Sequence, residues 1–267
     1  MTHFMCRQCG VQYAASDAPP KNCPICEDER QYVRWAGQAW TTLEELGRDH
    51  KMLIRDEDGV LSIGVEPHFA IGQRALLGET PDGNLLWDCV SLVNDEAVAA
   101  LDARGGLKAI ALSHPHYYSV IVEWSQAFGG IPIYIHAADR KWVMRPDPAI
   151  VFWEGETKSI LPDLTLIRCG GHFDGGTVCH WTRKDKPNVL LAGDILQVVM
   201  DRKHVSFMYS YPNTWPLNAR AIKRIAQALE PFDYDQVYSA FWNMRIIADG
   251  KGAVARSVER YLKAIAD

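Results

Sequence analysis

The sequence predicts an α/β fold in which two packed mixed sheets carry helices on their outer faces. Two observations predict it. Strand-rich stretches and alternating helical and strand segments follow one another twice along the chain, and the chain closes with two helical segments around a strand. With 267 residues, 48% of them hydrophobic, the chain has room for one sizeable domain and a small appendage. We expect a cysteine-rich unit over 1–30, a connector with one short helix over 31–59, and the main domain over 60–267.

Periodicity and turn residues define the elements of the main domain. The runs VLSIGVE, HFAIGQRALLGE and NLLWDCV predict strands, and PDGN between the last two predicts a hairpin. NDEAVAALDARGG has helical spacing with an Asn cap and a Gly stop, followed by a buried strand LKAIALS, a helix YSVIVEWSQAFGG and a strand IPIYIH. The second half repeats this pattern with strands LTLIRCG, GTVCHWT, NVLLAGD and ILQVVM and the helices PLNARAIKRIAQALE and KGAVARSVERYLKAIAD.

Charge and terminal composition limit the classes of partner. The formal net charge is −5, and the sequence contains no run of basic residues. Both observations argue against general affinity for nucleic acid or an anionic membrane. The start of the chain, MTHFMCRQCG, is not a signal sequence, and no apolar stretch approaches 18 residues. We therefore expect a cytoplasmic protein that acts on a small molecule.

Four of the seven cysteines form two CxxC pairs, which are Cys6 with Cys9 and Cys23 with Cys26. This spacing lets two knuckles face one ion and complete a tetrahedral site of four sulfurs. The segment is similar to a zinc ribbon or a short rubredoxin-like domain. We expect a structural Zn²⁺, with an electron-transferring iron as the alternative, because both metals accept four thiolates.

Three histidines and one aspartate stand in or beside Gly- or Pro-bearing turns that follow apolar runs. His114 and His116 follow LKAIALS, His172 follows LTLIRCG, and Asp194 follows PNVLLAG. Because His114 and His116 are two residues apart, their side chains leave one face of an extended segment, and Pro115 stiffens the backbone between them. These positions predict one converging metal site at the ends of several strands.

The marks NLLWDCV, SHPH, GGHFDGG and LAGD, in this order, resemble the metallo-β-lactamase superfamily over roughly residues 60 to 267. The resemblance implies an αββα sandwich with metals at one edge of the sheets and hydrolysis of an ester, amide, thioester or phosphoester. It also implies that His114, His116 and His172 bind the first metal, that Asp194 bridges both metals, and that Asp88 lies behind the ligands.

The sequence departs from this superfamily at the second metal. Where the superfamily has an Asp and a His ligand, this chain has Tyr118 and Ser119, and where a late His is expected it has Phe241, Trp242 and Asn243. We therefore expect one metal, Zn²⁺ or Fe²⁺, with an open position for a catalytic water or hydroxide. In that case Tyr118 either assists the chemistry together with Asp194 or only fills the vacated space.

Two functions from other classes stay open at this point. A chain that lost its second metal ligands is also compatible with a non-catalytic binding protein, and two histidines with a carboxylate suit a mononuclear iron oxygenase. A cavity that reaches the metal favours an enzyme, whereas a site plugged by Tyr118 or Trp242 favours the binding protein.

Further candidates lie near the predicted site. His136 ends the strand IPIYIH and is a candidate for the shell behind the ligands. The aromatic stretch 205–218 suits a substrate-pocket wall, a homodimer interface or the core. Arg145, in a Pro-broken loop, suits an anionic substrate group or a surface ion pair.

Overall fold

The computed structural model describes residues 1–266. Its N-terminal elements join the cysteine-rich unit to the connector that follows it. The elements are β1 Met5–Cys6, α1 Pro24–Glu27, β2 Trp40–Thr41 and α2 Leu43–Asp49. Strands β1 and β2 pair antiparallel. Helix α2 begins with a capping box, in which the Thr42 side chain accepts from the Glu45 N–H and the Glu45 carboxylate accepts from the Thr42 N–H.

The first large sheet has seven strands in chain order. They are β3 Lys51–Asp56, β4 Leu61–Glu66, β5 Ala75–Gly78, β6 Leu85–Trp87, β7 Ala109–Ala111, β8 Ile133–His136 and β9 Ile150–Trp153. Strands β3 to β6 are antiparallel, and β6 to β9 are parallel. The parallel part needs crossovers, which contain α3 Asp95–Asp102 and α4 Ile121–Ala127. The predicted PDGN hairpin joins β5 to β6. The Asn94 side chain caps the start of α3, as the sequence predicted.

The second large sheet draws its strands from the rest of the chain. In chain order the elements are β10 Thr157–Leu161, β11 Leu164–Arg168, β12 Thr177–Trp181, β13 Val189–Gly193, β14 Gln197–Val198, β15 Val205–Ser206, β16 Met208–Ser210, β17 Trp215–Pro216, α5 Ala219–Leu229, β18 Gln236–Ser239, β19 Arg245–Ile246 and α6 Gly250–Ala264. The sheet order is β10-β11-β12-β13-β18-β19, and β13 lies parallel to β18. Strands β14 to β17 form two small pairs outside this sheet.

Three apolar clusters define the layers. One cluster lies between the sheets and joins side chains such as Trp87 and Ala111 to Leu166 and Leu191. The second lies between the second sheet and helices α5 and α6. The third lies on the outer face of the first sheet with α3, α4 and the cysteine-rich unit. The order of layers is helix, sheet, sheet, helix, which confirms the predicted αββα sandwich.

The N-terminal segments are integrated into this body. Strand β3 lies inside the predicted connector 31–59, yet it pairs along its whole length with β4 and forms the edge of the first sheet. The four cysteines of the N-terminal unit belong to the same buried cluster as Tyr118 and Val122 of the main domain. None of the helices within residues 1–266 is both long and apolar enough to cross a membrane.

Candidate metal centre

The structure brings His114, His116, His172 and Asp194 together at one edge of the two sheets. His114 follows β7 and precedes a short 3-10 helix, Pro115–Tyr117; His172 lies in the turn between β11 and β12, and Asp194 directly follows β13. All four side chains are buried, and one potential ligand atom from each lies within 4.8 Å of the others. The predicted convergence of four strand-end residues is therefore present in the fold.

The separations between these atoms fit a metal ion. Nε2 of His114 lies 3.2 Å from Nδ1 of His116 and 3.1 Å from Oδ1 of Asp194. Two ligands bound about 2.0–2.1 Å from one tetrahedral ion are separated by roughly 3.3 Å. Nε2 of His172 and Oδ1 of Asp194 are buried and have no hydrogen-bond partner within residues 1–266. Because buried polar atoms are almost always partnered, these two atoms fit the ligands of a cation.

Burial controls the charge state of the cluster. It lowers the pKa of His114 and His116, helped by the neighbouring imidazoles, and it lowers the pKa of His172 to about 4, helped by Arg30. The three rings are therefore neutral near pH 7 and keep lone pairs for a metal. Burial also raises the pKa of Asp194 to about 7, since the charged carboxylate is removed from water and has no counter-charge among residues 1–266. A divalent cation would supply that charge.

The second ring nitrogens orient two of the imidazoles. Nδ1 of His172 donates to the Tyr209 carbonyl oxygen at 2.8 Å. Nε2, which faces the cluster, therefore carries the free lone pair. Nδ1 of His114 lies 2.9 Å from Ser113 Oγ. The Asp88 carboxylate accepts from the Ser113 N–H at 2.7 Å and from the Ser113 side chain. Ser113 thus links Asp88 to His114.

The residues at the second-metal positions contact the cysteine-rich unit instead of a metal. Ser119 Oγ lies 2.8 Å from both the Gly10 carbonyl oxygen and Ser91 Oγ. The Gln12 N–H donates to the Tyr118 carbonyl oxygen at 3.3 Å. The Tyr118 ring is buried in the cluster that contains the four cysteines. Tyr118 does not line the cavity beside the cluster, and the neighbouring Tyr117 is the tyrosine that contacts the His114 ring.

A cavity of about 140 Å³ is lined by three of the four candidate ligands, His116, His172 and Asp194. Its lining residues are Gln31, Ile71, His116, His172, Asp194, Tyr211, Pro212 and Phe241. Tyr211 and Pro212 belong to the aromatic stretch that suited a pocket wall, whereas Gln31 and Ile71 carried no signal in the sequence. A larger groove of about 520 Å³ beside Glu156 and Arg224 contains none of the cluster residues.

The segment after β18 closes one side of this cavity. Phe241, where a late histidine was expected, lines the cavity, and buried Arg74 donates to the carbonyl oxygens of Ser239 and Phe241. Trp242 turns away and covers Gly64, where an added Cβ would lie 2.6 Å from the Trp242 ring. Neither Trp242 nor Tyr118 plugs the site.

The structure does not bring His136 to the cluster. Its Nε2 donates to the Gly155 carbonyl oxygen at 3.1 Å, and its Nδ1 accepts from the Ala138 N–H at 3.2 Å. Both ring nitrogens are used by backbone groups because His136 caps the 3-10 helix that follows β8. Arg145 pairs with Glu123 and Gln12, so its charge is neutralised within the protein.

The cysteines form a second potential metal centre. Sγ of Cys6 lies 3.5 Å from Sγ of Cys26, and Sγ of Cys9 lies 3.7 Å from Sγ of Cys23. Thiolates about 2.3 Å from one tetrahedral ion are separated by about 3.8 Å. Three donors also face the sulfurs, namely the Gln8 N–H and Gln38 Nε2 toward Cys6 and the Tyr13 hydroxyl toward Cys23. Such donors stabilise thiolates and fit a closed site of four sulfurs.

Comparison with solved structures defines the class of fold. VMB-1 superposes with a TM-score of 0.59 at 13% identity, over 80% of this chain and 98% of its own. The DIM-1 metallo-β-lactamase gives 0.58 at 14% identity, over 80% and 98%. The metallo-β-lactamase FIM-1 from Pseudomonas aeruginosa, in its mono-zinc form, gives 0.55 at 15% identity, over 79% and 96%. The chain therefore has the metallo-β-lactamase fold, extended by the N-terminal cysteine-rich unit.

Sequence comparison places the chain more narrowly. No protein-family model matches it. It is 46% identical over 269 residues to the uncharacterized protein YmaE of Bacillus subtilis (strain 168), which covers 99% of this chain and 97% of the relative. The chain belongs to the same family as YmaE.

Proposed function

We propose that this protein is a metal-dependent hydrolase of a small-molecule ester, thioester, amide or phosphoester. One metal ion would be held by His114, His116, His172 and Asp194. The observation that supports this proposal best is the group of four buried ligand atoms, two of them unpartnered, beside a cavity that three of the four ligand residues line.

The residues present fit such an ion, and the chain supplies the rest of the site. A bound Zn²⁺ polarises a carbonyl or phosphoryl oxygen and lowers the pKa of a bound water to about 7. The three neutral imidazoles do not offset the positive charge of the ion. Among the residues that line the cavity, Asp194 is the one that offers it a carboxylate. Phe241, Ile71 and Pro212 add apolar surface to the lining of the cavity. We propose a structural Zn²⁺ for the four cysteines.

The cavity favours an enzyme over a decayed binding protein. A chain under no demand for catalysis would have no reason to keep three unplugged histidines around a cavity, because buried unpartnered polar atoms cost stability. An iron oxygenase remains the second candidate, and the identity of the bound metal separates it from the hydrolase.

The test is metal-dependent hydrolysis by the purified protein. We would measure turnover of p-nitrophenyl acetate, an acyl thioester and bis-p-nitrophenyl phosphate, before and after chelation and after Zn²⁺ or Fe²⁺ is returned. His172→Ala should remove the activity that Zn²⁺ restores. His204→Ala is the matched control, since His204 only pairs with Asp201 at the surface. Turnover that survives chelation or His172→Ala would refute the proposal.

A further inference from the structure

The segment that follows the last cysteine of the two CxxC pairs, residues 28–31, brings one side chain, that of Gln31, to the cavity. Gln31 is 4% exposed and lines the cavity with His116, His172 and Asp194. No spacing or motif in the sequence places this residue there, because it is more than 80 residues before the first candidate ligand. The end of the cysteine-rich unit therefore brings a side chain to the candidate metal centre.

The backbone of this segment is fixed by the loop after β16. Asn213 Nδ2 donates to the Glu29 carbonyl oxygen at 2.9 Å and to the Gln31 carbonyl oxygen at 3.2 Å. Ser210 Oγ donates to the Arg30 carbonyl oxygen at 3.0 Å. Three consecutive carbonyl groups thus have side-chain donors from the main domain. Gln31 is held in place by these contacts and does not need a ligand to order it.

Arg30 adds a further anchor and is not free for a substrate. Its guanidinium pairs with Asp28 at 2.6 Å and lies 4.0 Å over the Phe173 ring. Its Nη1 also donates to the His172 carbonyl oxygen at 3.4 Å. The charge of Arg30 is therefore used within the protein. None of the residues that line the cavity is a lysine or an arginine.

Only one of the two polar atoms of the Gln31 carboxamide, the oxygen, has a hydrogen-bond partner among residues 1–266. Its Oε1 accepts from the Tyr32 N–H at 3.2 Å, which orients the group and leaves the Nε2 hydrogens without a protein acceptor among residues 1–266. In a two-metal site the second ion shares the charge that develops on the substrate. Ser119 and Tyr118 use the corresponding positions to bind the cysteine-rich unit. Gln31 is thus the side-chain amide donor that the N-terminal part of the chain brings to the cavity.

We propose that Gln31 Nε2 donates to the substrate carbonyl oxygen as negative charge develops on it, and that the substrate is an uncharged ester, thioester or amide. This rests on the proposed hydrolase function. Water adds to the carbonyl carbon, the bond from that carbon to the leaving oxygen, sulfur or nitrogen breaks, and the leaving group takes up a proton. Gln31 keeps its own protons throughout. A phosphoester anion is disfavoured because the cavity offers it no side-chain cation.

The volume of the cavity limits the size of the acyl group that the substrate can have. About 140 Å³ corresponds to roughly five water molecules at ~30 Å³ each. Ile71, Pro212 and Phe241 provide apolar contacts for a short acyl chain. The larger part of a leaving group would have to remain outside this space.

The test replaces Gln31 by Met, which has a similar length and no donor, and by Glu, which keeps an acceptor for the Tyr32 N–H. The probe is acetohydroxamate, added to the Co²⁺-loaded protein and followed by visible absorption. We expect its Kd to rise about tenfold in both variants, since a hydrogen bond is lost. With p-nitrophenyl acetate, kcat should fall by about 100-fold while KM changes little, as for loss of an oxyanion donor.

Glu29→Gln is the control within the same segment, because an amide oxygen can still accept from the Tyr209 hydroxyl. Its Kd and kcat should stay within about twofold of the unchanged protein. A wild-type Co²⁺ spectrum that does not respond to acetohydroxamate would overturn the open metal site and this inference together. A normal response in the wild type with an unchanged Kd and kcat in Gln31→Met would overturn only the role of Gln31.

Discussion

Two of the candidate ligands, His114 and His172, are oriented by a hydrogen bond on the side away from the cluster, and each of these contacts can be tested singly. His172 donates to a backbone carbonyl, whereas His114 depends on the Ser113 hydroxyl and, through it, on Asp88. Asp88 has a positive φ of 60°, a strained value for a residue other than glycine. This strain persists because the Asp88 carboxylate is fixed on Ser113.

Ser113→Ala should weaken metal binding without removing a ligand. His114 Nδ1 then loses its partner in a buried position, and changes behind metal ligands typically reduce metal affinity about 10–100-fold. Competition with a chelator of known affinity measures the effect. Ser159→Ala, an exposed serine on β10, should leave the affinity unchanged. Equal affinities in the two variants would show that Ser113 does not orient His114.

Asp139 should make stability depend on pH. Its Oδ1 accepts from the Gly175 N–H at 2.9 Å, next to the turn that carries His172, and burial raises its pKa to about 7. An acid whose pKa is raised in the folded state stabilises fully below its unfolded pKa of about 4 and loses this contribution as pH rises through 7. We expect a loss on the order of 4 kcal/mol across this window.

Asp139→Asn removes the titration while it keeps an oxygen acceptor for Gly175. Denaturant unfolding at several pH values should show the wild type losing stability relative to this variant between about pH 4 and pH 7. Parallel pH profiles for the two proteins would contradict the assignment.

The sequence predicted the ligands better than the residues around them. His114, His116, His172 and Asp194 follow buried strands, and strand ends that share an edge must converge. The placement of Gln31 depends on contacts between distant segments, which leave no periodicity in the sequence. His136 also ends a strand, but the backbone groups near it use both of its ring nitrogens.

At the scale of elements, burial explains which predictions were reliable. Strands β7 and β13 are buried along their entire length and stood out as apolar runs. By contrast, the predicted strand ILQVVM is strand only over Gln197–Val198, because the chain then turns into a second short strand. The prediction did not include edge strand β3 in the main domain, because its sequence KMLIRD has mixed polarity and is only partly buried.

The contact between the first cysteine knuckle and the main domain requires a glycine. Gly10 has φ +80°, and an added Cβ would lie 2.7 Å from Ser91 Oγ. Gly37 has a similar φ of +86° but no heavy atom within 4 Å of that position. A comparison of substitutions at Gly10 and Gly37 therefore separates the cost of a positive φ from the cost of a steric clash with neighbouring atoms.

Gly10→Ala should lower the unfolding free energy more than Gly37→Ala. Both substitutions place a side chain at positive φ, which costs about 1–2 kcal/mol. Only Gly10→Ala also forces apart the Gly10, Ser91 and Ser119 contact. Chemical denaturation of both variants measures the difference. A loss no larger in Gly10→Ala than in Gly37→Ala would mean that the knuckle does not dock tightly on Ser119.

For the whole molecule, the cysteine-rich unit and the main domain form one structure. The first knuckle and the residues after it contact Ser119 and Tyr118, the two positions where the sequence departs from the pattern it resembles. The segment after the second knuckle reaches the cavity through Gln31.

The central claim is that the main domain holds a single metal ion. Elemental analysis of the purified wild type beside Cys6→Ser and His172→Ala measures it most directly. We expect two metal ions per wild-type chain, with His172→Ala losing the ion of the main domain and Cys6→Ser losing the ion of the cysteines. Three ions in the wild type, two of them lost with His172→Ala, would contradict the claim.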